Sequence, residues 1–139
     1  MQDKRCVVLL VEDDPEIRAP FRGLLEHAGF SVREATDGLQ AIGMFQVHAV
    51  DAIVIDLVLP RLDGITTIIT LRHTLHGQQV PIIVVTALND SQSAQSARQA
   101  GANEVLFKPI RPYQLMEALN KYLSPHAAEW GRLHQLMQD

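Results

Sequence analysis

Four acidic residues stand directly after apolar runs of the sequence. A charged carboxylate in such a place costs free energy unless a cation lies beside it. Glu12, Asp13 and Asp14 follow the run VVLLV, and Asp56 follows the run AIVI. Carboxylates at close range repel and raise one another's pKa values. A hard divalent cation relieves that repulsion, and Mg²⁺ takes oxygen ligands that include carboxylates, water and phosphate. If the fold brings the runs together, Glu12, Asp13 and Asp56 are candidate ligands of Mg²⁺.

A hydroxyl and an ammonium stand at the ends of two further apolar runs. Thr86 ends the stretch PIIVVT, and Lys108 follows the stretch EVLF. A threonine hydroxyl can hydrogen-bond a phosphoryl oxygen, and a lysine can pair with the phosphoryl charge. Asp56 would then be a nucleophile, because carboxylates form aspartyl-phosphate intermediates. Together these residues predict chemistry on a phosphoryl group.

Five short runs rich in apolar and β-branched residues alternate with longer segments of helical periodicity. Strands that are each followed by a helix are typical of an α/β fold with a parallel sheet and helices on both faces. In such a sheet, ligands bind beyond the carboxyl ends of the strands, which is where the candidate residues lie. The predicted strands are Cys6–Val11, Ser31–Glu34, Ala52–Ile55, Ile82–Val85 and Glu104–Phe107.

Residue types at the predicted boundaries agree with this fold. Asp14 followed by Pro15 is an N-cap with proline at the first helical position, and Asn89 or Asp90 can cap the fourth helix. The first, third and fourth runs are nearly all apolar, as expected for strands covered on both faces. The second and fifth runs are shorter and more polar, which places them towards the edges of the sheet.

Composition limits the class of protein. A chain of 139 residues with 47% hydrophobic and 20% charged residues is typical of one globular domain. The net charge of −4 and the lack of a Lys/Arg-rich stripe argue against direct binding of nucleic acid. The single cysteine, Cys6, excludes an internal disulfide and favours a cytoplasmic location. No apolar run of the sequence approaches the ~18 residues that a membrane span needs.

These motifs strongly resemble those of the receiver domains of two-component response regulators. The resemblance covers about residues 6–123 and depends on LLVEDDP, VIDLVLPRLDG, VVTA and LFKPI, in family order and spacing. It implies a receiver domain at residues 1–123, a doubly wound α/β fold whose five-stranded parallel sheet has the strand order 2-1-3-4-5. Residues 124–139 are expected to form a C-terminal helical extension that is a docked helix, a dimer contact or a linker.

The resemblance implies a phosphorylation site with a bound metal. Asp56 corresponds to the phosphoacceptor, and Glu12 and Asp13 correspond to the acidic pair that holds Mg²⁺. The backbone carbonyl of Val58, two residues after the acceptor, would be a further ligand of the metal. Asp14 follows the acidic pair and is expected only to cap the first helix.

The resemblance also implies roles for two residues that would contact the phosphoryl group. Thr86 would be the switch hydroxyl, and Lys108 would pair with the phosphoryl charge, with a cis peptide bond between Lys108 and Pro109. A sensor histidine kinase or a phosphotransfer protein would be the donor. The face made by the fourth helix, fifth strand and fifth helix would bind an output domain, a downstream protein or a second copy of the chain. Such a protein promotes only its own phosphorylation and dephosphorylation, and is a signalling switch rather than an enzyme.

Two departures from the family pattern affect these expectations. Many receivers carry Tyr or Phe three residues before the lysine, where this chain has Val105, and Phe107 is not at the equivalent position. The usual coupled movement of the threonine and an aromatic ring is therefore not expected. Val58 and Leu88 occupy the positions that tune phosphoryl lifetime in the family. Apolar side chains there cannot position an attacking water, which predicts slow loss of the phosphoryl group.

Three other interpretations are open at the level of the residues. A haloacid-dehalogenase type of phosphatase also uses an aspartate nucleophile with Mg²⁺, but requires a second aspartate where this chain has Val58. A nucleotide-binding fold requires a glycine-rich loop after the first strand, which VEDDPE does not provide. A receiver-like interaction module that is never phosphorylated would not need the acidic pair, acceptor, threonine and lysine that are all present.

Overall fold

The computed structural model describes residues 5–123, which form a five-stranded parallel sheet with strand order β2-β1-β3-β4-β5 and five helices. The predicted doubly wound α/β fold and its strand order are confirmed. None of the helices in this part of the chain has the length and apolar content that crossing a membrane requires. The elements are β1 (Val7–Val11), α1 (Pro15–His27), β2 (Ser31–Ala35), α2 (Gly38–Val47), β3 (Ala52–Ile55), α3 (Gly64–Arg72), β4 (Ile82–Thr86), α4 (Ser91–Ala100), β5 (Glu104–Phe107) and α5 (Pro112–Tyr122).

The predicted strands agree with the structure to within one residue at each end. β1 begins at Val7 rather than Cys6, and β2 and β4 each extend by one residue, to Ala35 and Thr86. Thr86 is therefore the last residue of its strand. The predicted helix at residues 124–139 lies outside the described residues, so the division into residues 1–123 and 124–139 stays a prediction.

The sheet separates two apolar cores, because alternate residues of each strand point to opposite faces. Leu9 and Val11 of β1 belong to the core that α2, α3 and α4 cover. Val8 and Leu10 belong to the core that α1 and α5 cover. The central strands β1, β3 and β4 are almost wholly buried, which explains their continuous apolar sequences.

Helices α1 to α4 each begin at an aspartate whose side chain caps the helix. Asp14 accepts a hydrogen bond from the backbone N–H of Glu16 at 2.9 Å, as predicted. At the fourth helix, Asp90 rather than Asn89 is the cap, and it accepts from the backbone N–H of Ser93 at 2.7 Å. Each cap satisfies an N–H group that has no partner within its helix. The first turns of α1 and α4 are thereby held beside the carboxyl edge of the sheet.

Helix α4 packs on the sheet through a small apolar surface. Its buried residues are Ala94 and Ala97, and the rest of its sequence is largely polar. Its C-terminal end is held by Arg72 of α3, whose Nε and Nη2 donate to the carbonyl oxygen of Gly101 at 3.0 and 2.7 Å. The guanidinium also donates to the Val80 carbonyl at 2.6 Å. The N-terminal end of α4 is thus held by its own Asp90 cap, and its C-terminal end is held by Arg72 of the neighbouring helix.

Candidate functional site

The carboxyl ends of β1 and β3 lie side by side, because Val11 is paired with Ile55 in the parallel register. The next residue of each strand is acidic: Glu12 after β1 and Asp56 after β3. The Asp56 N–H donates to the Val11 carbonyl at 3.1 Å, which continues the ladder to the acceptor candidate. Strand order thus explains how two acids that are 44 residues apart in sequence come to share one edge.

Lys108 joins these two acids. Its Nζ lies 2.6 Å from Glu12 Oε1 and 2.8 Å from Asp56 Oδ2. The side chains are poorly exposed, at 15% for Lys108, 3% for Glu12 and 8% for Asp56. One buried ammonium therefore serves two buried carboxylates, which leaves an excess of negative charge at the edge of the sheet.

Burial and charge act in opposite directions on this cluster. Burial raises the pKa of Glu12 above its ordinary value, and the hydrogen bond from Lys108 only partly offsets the rise. Burial by itself would lower the pKa of Lys108, but its hydrogen bonds to Asp56 and Glu12 outweigh that effect and leave the pKa raised. Lys108 is therefore firmly charged at neutral pH, whereas a charged Glu12 is held at a cost in free energy.

Asp13 is not joined to this cluster by a hydrogen bond or an ion pair. Its side chain is exposed and makes no hydrogen bond or ion pair within residues 5–123. In the same part of the chain, no three His, Cys, Asp or Glu side chains lie close enough together to hold a metal ion. The structure brings Glu12, Asp56 and Lys108 together, and the role of Asp13 as a ligand stays a prediction.

The donor atoms at this edge fit Mg²⁺ in their chemistry. Mg²⁺ usually keeps several waters and needs only one or two carboxylates with phosphate oxygens, so a cage of three acids is not required. Glu12 and Asp56 offer hard oxygen donors in a site with excess negative charge. Asp13, with no protein partner in the described residues, is free to add another. The Val58 N–H donates to Asp56 Oδ1 at 3.1 Å, while the assignment of its carbonyl to the metal stays a prediction.

Thr86 lies at the carboxyl end of β4 and is fully buried. Its Oγ1 accepts a hydrogen bond from the Leu88 N–H at 3.3 Å, which ties the hydroxyl to the loop that precedes α4. Its carbonyl accepts from the Lys108 N–H at 2.8 Å, so β4 and β5 stay paired up to the site. The peptide bond between Lys108 and Pro109 is cis, as expected. The Thr86 hydroxyl is thus in direct contact with the β4–α4 loop.

The β5 position three residues before the lysine is occupied by a core side chain. Val105 is buried and belongs to the apolar core beneath α4, together with Ala94 and Ala97. Phe107 is exposed at the end of β5 and does not occupy that position. Among the described residues, no aromatic ring lies at this position to move together with Thr86.

Two residues that support the site were not singled out from the sequence. Gly64 begins α3 against the end of β3, and its N–H donates to the Leu57 carbonyl at 2.9 Å. The LDG turn that precedes α3 is a visible signal for such a residue. Arg18 of α1 donates to the Glu12 carbonyl at 2.9 Å. The sequence gives a weaker indication for Arg18, because a basic residue four positions after an N-cap such as Asp14 is common on a solvated helix.

Replacing Gly64 by alanine is expected to destabilise the fold by about 1–3 kcal/mol, because small-to-large changes in packed sites cost this much. A Cβ at Gly64 would meet the Asp56 carbonyl oxygen at 2.4 Å and the Leu57 Cα at 2.6 Å. The matched control is Gly43→Ala in α2, where a Cβ meets nothing within 4 Å. That change should stabilise by about 0.5–1 kcal/mol. Urea unfolding of both variants measures the effects, and a Gly64→Ala protein as stable as the parent would contradict the close packing.

Comparisons with known proteins agree with the observed fold and identify a family. A family model described as the response regulator receiver domain matches residues 8–120. The response regulator MprA of Mycobacterium sp. (strain KMS) is 36% identical over 121 residues, which is 85% of this chain and 52% of that protein. The chain spans about half the length of the curated relatives it matches.

Solved structures of similar proteins extend the likeness to three dimensions. The receiver domain of the sensor histidine kinase PA1611 from Pseudomonas aeruginosa PAO1 is 33% identical with a TM-score of 0.81, covering 86% of this chain and 98% of that one. That structure has a magnesium ion coordinated in its active site cleft. The chemotaxis response regulator CheY4 of Vibrio cholerae is 28% identical with a TM-score of 0.81, covering 86% of this chain and 100% of that one.

Proposed function

The chain belongs to the response regulator receiver domain family, and on this premise we propose that it is a phosphorylation-dependent switch whose phosphoacceptor is Asp56. The family role, that of a receiver in two-component signalling, is carried by the match over residues 8–120. The observation that best supports Asp56 as the phosphoacceptor is the contact of the Lys108 ammonium with both Glu12 and Asp56. A buried carboxylate beside a second acid and a lysine is equipped to receive a phosphoryl group.

The proposed reaction is a direct phosphoryl transfer. An Asp56 carboxylate oxygen attacks the phosphorus of a phosphohistidine on a sensor histidine kinase or phosphotransfer protein. The new O–P bond forms as the P–N bond breaks, and the electron pair of that bond stays on the imidazole nitrogen. Positioning and charge stabilisation account for most of the catalysis in such transfers. The protein thus promotes its own modification and acts on no other substrate.

Glu12, Asp13, Asp56 and the Val58 carbonyl would hold Mg²⁺ at this site. The bound ion supplies positive charge that offsets the repulsion between Asp56 and the incoming phosphoryl oxygens. Two observations support this assignment: the excess of carboxylates over ammonium groups around Lys108, and the magnesium ion held in the cleft of the similar PA1611 receiver domain. The proposed function does not involve direct binding of nucleic acid or of a membrane by this domain.

Phosphorylation would change the partners of Lys108 and Thr86. The Lys108 ammonium, which contacts two carboxylates in the unmodified site, moves its hydrogen bonds to a phosphoryl oxygen. The Thr86 hydroxyl, which accepts from the Leu88 N–H, turns to donate to another phosphoryl oxygen. The β4–α4 loop follows the hydroxyl, so the charge added at Asp56 is converted into a movement at the start of α4.

The face made by α4, β5 and α5 is the proposed surface for the partner. A groove of about 350 Å³ lies between β5 and α5, and its lining includes Leu106, Tyr113 and Glu117. Tyr113 is exposed, and so is Phe107, which follows Leu106 at the end of β5. A groove lined by apolar and charged side chains suits a protein partner: an output domain, a downstream protein or a second copy of this chain. The coupling between modification and binding is expected to be about 1–3 kcal/mol.

The test is phosphorylation of the purified protein by acetyl phosphate with Mg²⁺. Intact-mass measurement is expected to show the addition of one phosphoryl group, which is lost in Asp56→Asn and on addition of a chelator. The control is Asp51→Asn, which alters an aspartate that binds the Val7 N–H at 2.7 Å near the start of β3, away from the site. If the parent stays unmodified, the alternative of a receiver-like interaction module that is not phosphorylated takes precedence. If modification persists in Asp56→Asn, the phosphoacceptor lies elsewhere.

A further inference from the structure

Arg18 binds the backbone of the loop that carries the acidic residues. Its own N–H donates to the Asp14 carbonyl at 2.8 Å as part of α1. Its Nη1 donates to the Glu12 carbonyl at 2.9 Å and makes a longer contact of 3.4 Å with the Asp13 carbonyl. Three consecutive carbonyl oxygens, those of residues 12, 13 and 14, are therefore bound by one residue.

A carboxylate of the neighbouring strand holds the other side of the guanidinium. Arg18 Nε donates to Glu34 Oε1 at 3.2 Å. Glu34 lies on β2, where it is paired with Leu10 of β1, and so it is anchored by the sheet itself. Its second oxygen accepts from Arg22, one helical turn further along α1. The Arg18 side chain is 19% exposed and lies between the sheet and the loop, with hydrogen bonds to both.

The loop is thereby bound from two directions. The Glu12 carbonyl points to Arg18, while its carboxylate binds Lys108 at 2.6 Å and the Asp14 N–H at 3.2 Å. Fixing both the carbonyl and the carboxylate of Glu12 leaves little freedom for its side chain to rotate. The backbone of Asp13 is held as well, although its carboxylate is exposed.

We propose that Arg18 is a positioning residue for the metal-binding acids Glu12 and Asp13, an inference that rests on the proposed function. Mg²⁺ demands nearly ideal octahedral geometry, so the oxygens of the two acids must be held in place before the ion arrives. Groups that orient metal ligands without touching the metal typically contribute roughly 10- to 100-fold to metal affinity. Arg18 does this by restraining the main chain of both acids.

The charge of Arg18 makes the proposal unusually easy to test. A guanidinium beside a cation site repels the cation, so simple electrostatics predicts that neutralising Arg18 strengthens Mg²⁺ binding. Positioning predicts the opposite, because the loop would lose its restraint. The two effects have opposite signs, and the direction of the change in affinity therefore decides between them.

The experiment compares Arg18→Gln with Arg22→Gln. Both arginines bind Glu34, but only Arg18 reaches the carbonyls of the loop. Mg²⁺ affinity is measured by displacement of Mn²⁺, followed through the electron paramagnetic resonance signal of free Mn²⁺. Arg18→Gln is expected to weaken Mg²⁺ binding by about tenfold. Arg22→Gln, which removes the exposed ion pairs of Arg22 with Glu26 and Glu34, should change it by less than about twofold.

A second measurement separates positioning from a loss of folding. In Arg18→Gln, the rate of modification by acetyl phosphate should fall at low Mg²⁺ and recover at saturating Mg²⁺, and Arg18→Lys should restore part of the affinity. Unchanged or tighter Mg²⁺ binding in Arg18→Gln would overturn the inference, as would a rate that stays low at saturating Mg²⁺. If the parent protein binds no Mg²⁺ or takes up no phosphoryl group, the proposed function itself fails, and that outcome is seen before any variant is made.

Discussion

Replacing Lys108 by methionine is expected to lower the free energy of unfolding at neutral pH by about 3 kcal/mol, the cost of leaving a buried charge without its partner. The Lys108 ammonium contacts Glu12 at 2.6 Å and Asp56 at 2.8 Å, and all three side chains are largely buried. Without it, two carboxylates face each other with no cation between them. Urea unfolding without Mg²⁺ measures the loss, and Mg²⁺ should reverse part of it.

The loss in Lys108→Met should depend on pH in a defined direction. Burial raises the pKa of Glu12 above 4.5, so over the window between 4.5 and the raised value the folded protein keeps a proton that the unfolded chain releases. Stability therefore falls as the pH rises through that window. Removing Lys108 removes the interactions that lower this pKa, which extends the window upwards. The variant should recover stability on acidification more than the parent does.

Lys121→Met is the matched control for this change. Lys121 pairs with Glu104 at 3.0 Å on the surface, where its side chain is 64% exposed. Exposed pairs contribute about 0–1 kcal/mol, so its loss should be small. The two lysines differ mainly in burial and in the number of acids they serve. Equal unfolding free energies for the two variants across the pH range would show that the Lys108 cluster is not electrostatically strained.

The second large effect is expected in the lifetime of the phosphoryl group. Val58 and Leu88 are apolar and exposed, at 56% and 39%, in the loops that follow β3 and β4. Neither can hydrogen-bond a water that attacks phosphorus, so the purified phosphoprotein should lose its phosphoryl group over minutes or longer. Val58→Asn, which adds a hydrogen-bonding side chain and leaves the main-chain carbonyl in place, should shorten the half-life by about 10- to 100-fold.

Val47→Asn provides the control for the lifetime measurement. Val47 is the last residue of α2 and is 75% exposed, so the same change of side chain is made on a distant surface. Its half-life should equal that of the parent. The half-life is followed by intact mass after removal of the donor. A parent half-life of seconds would show that another group positions the water.

The sequence predicts the fold well because the strands and their ends are marked by local signals. Apolar runs such as IIVV in β4 indicate a buried strand, and Asp14 marks the start of α1, whereas the sequence leaves both Asn89 and Asp90 open as the cap of α4. The number of polar residues in each strand distinguishes central strands from edge strands. Once the strand order places β1 beside β3, the register alone brings Glu12 close to Asp56.

The contacts that organise the site could not be predicted in the same way. Lys108 lies 96 positions from Glu12 and 52 positions from Asp56 in the sequence. Whether its ammonium reaches both acids depends on the conformations of all three side chains, which local sequence does not determine. Arg18 can be placed on the first turns of α1 from the sequence, but nothing local indicates that it turns back to the loop carbonyls. The exposure of the Asp13 side chain, next to the buried Glu12, depends likewise on the path of the loop after β1.

The alanine face of α4 has a mechanical consequence. Moving a helix away from a sheet sacrifices the contacts of its buried side chains, and alanines have few to lose compared with leucines. The hydrogen bonds of Arg72 to Gly101 attach the C-terminal end of α4 to α3, whereas the N-terminal end is held by its own Asp90 cap and follows the loop that hydrogen-bonds Thr86. In the proposed switch, a Thr86 hydroxyl that turns towards the phosphoryl group would displace the N-terminal end of α4, and a larger apolar residue at Ala94 is expected to oppose that displacement.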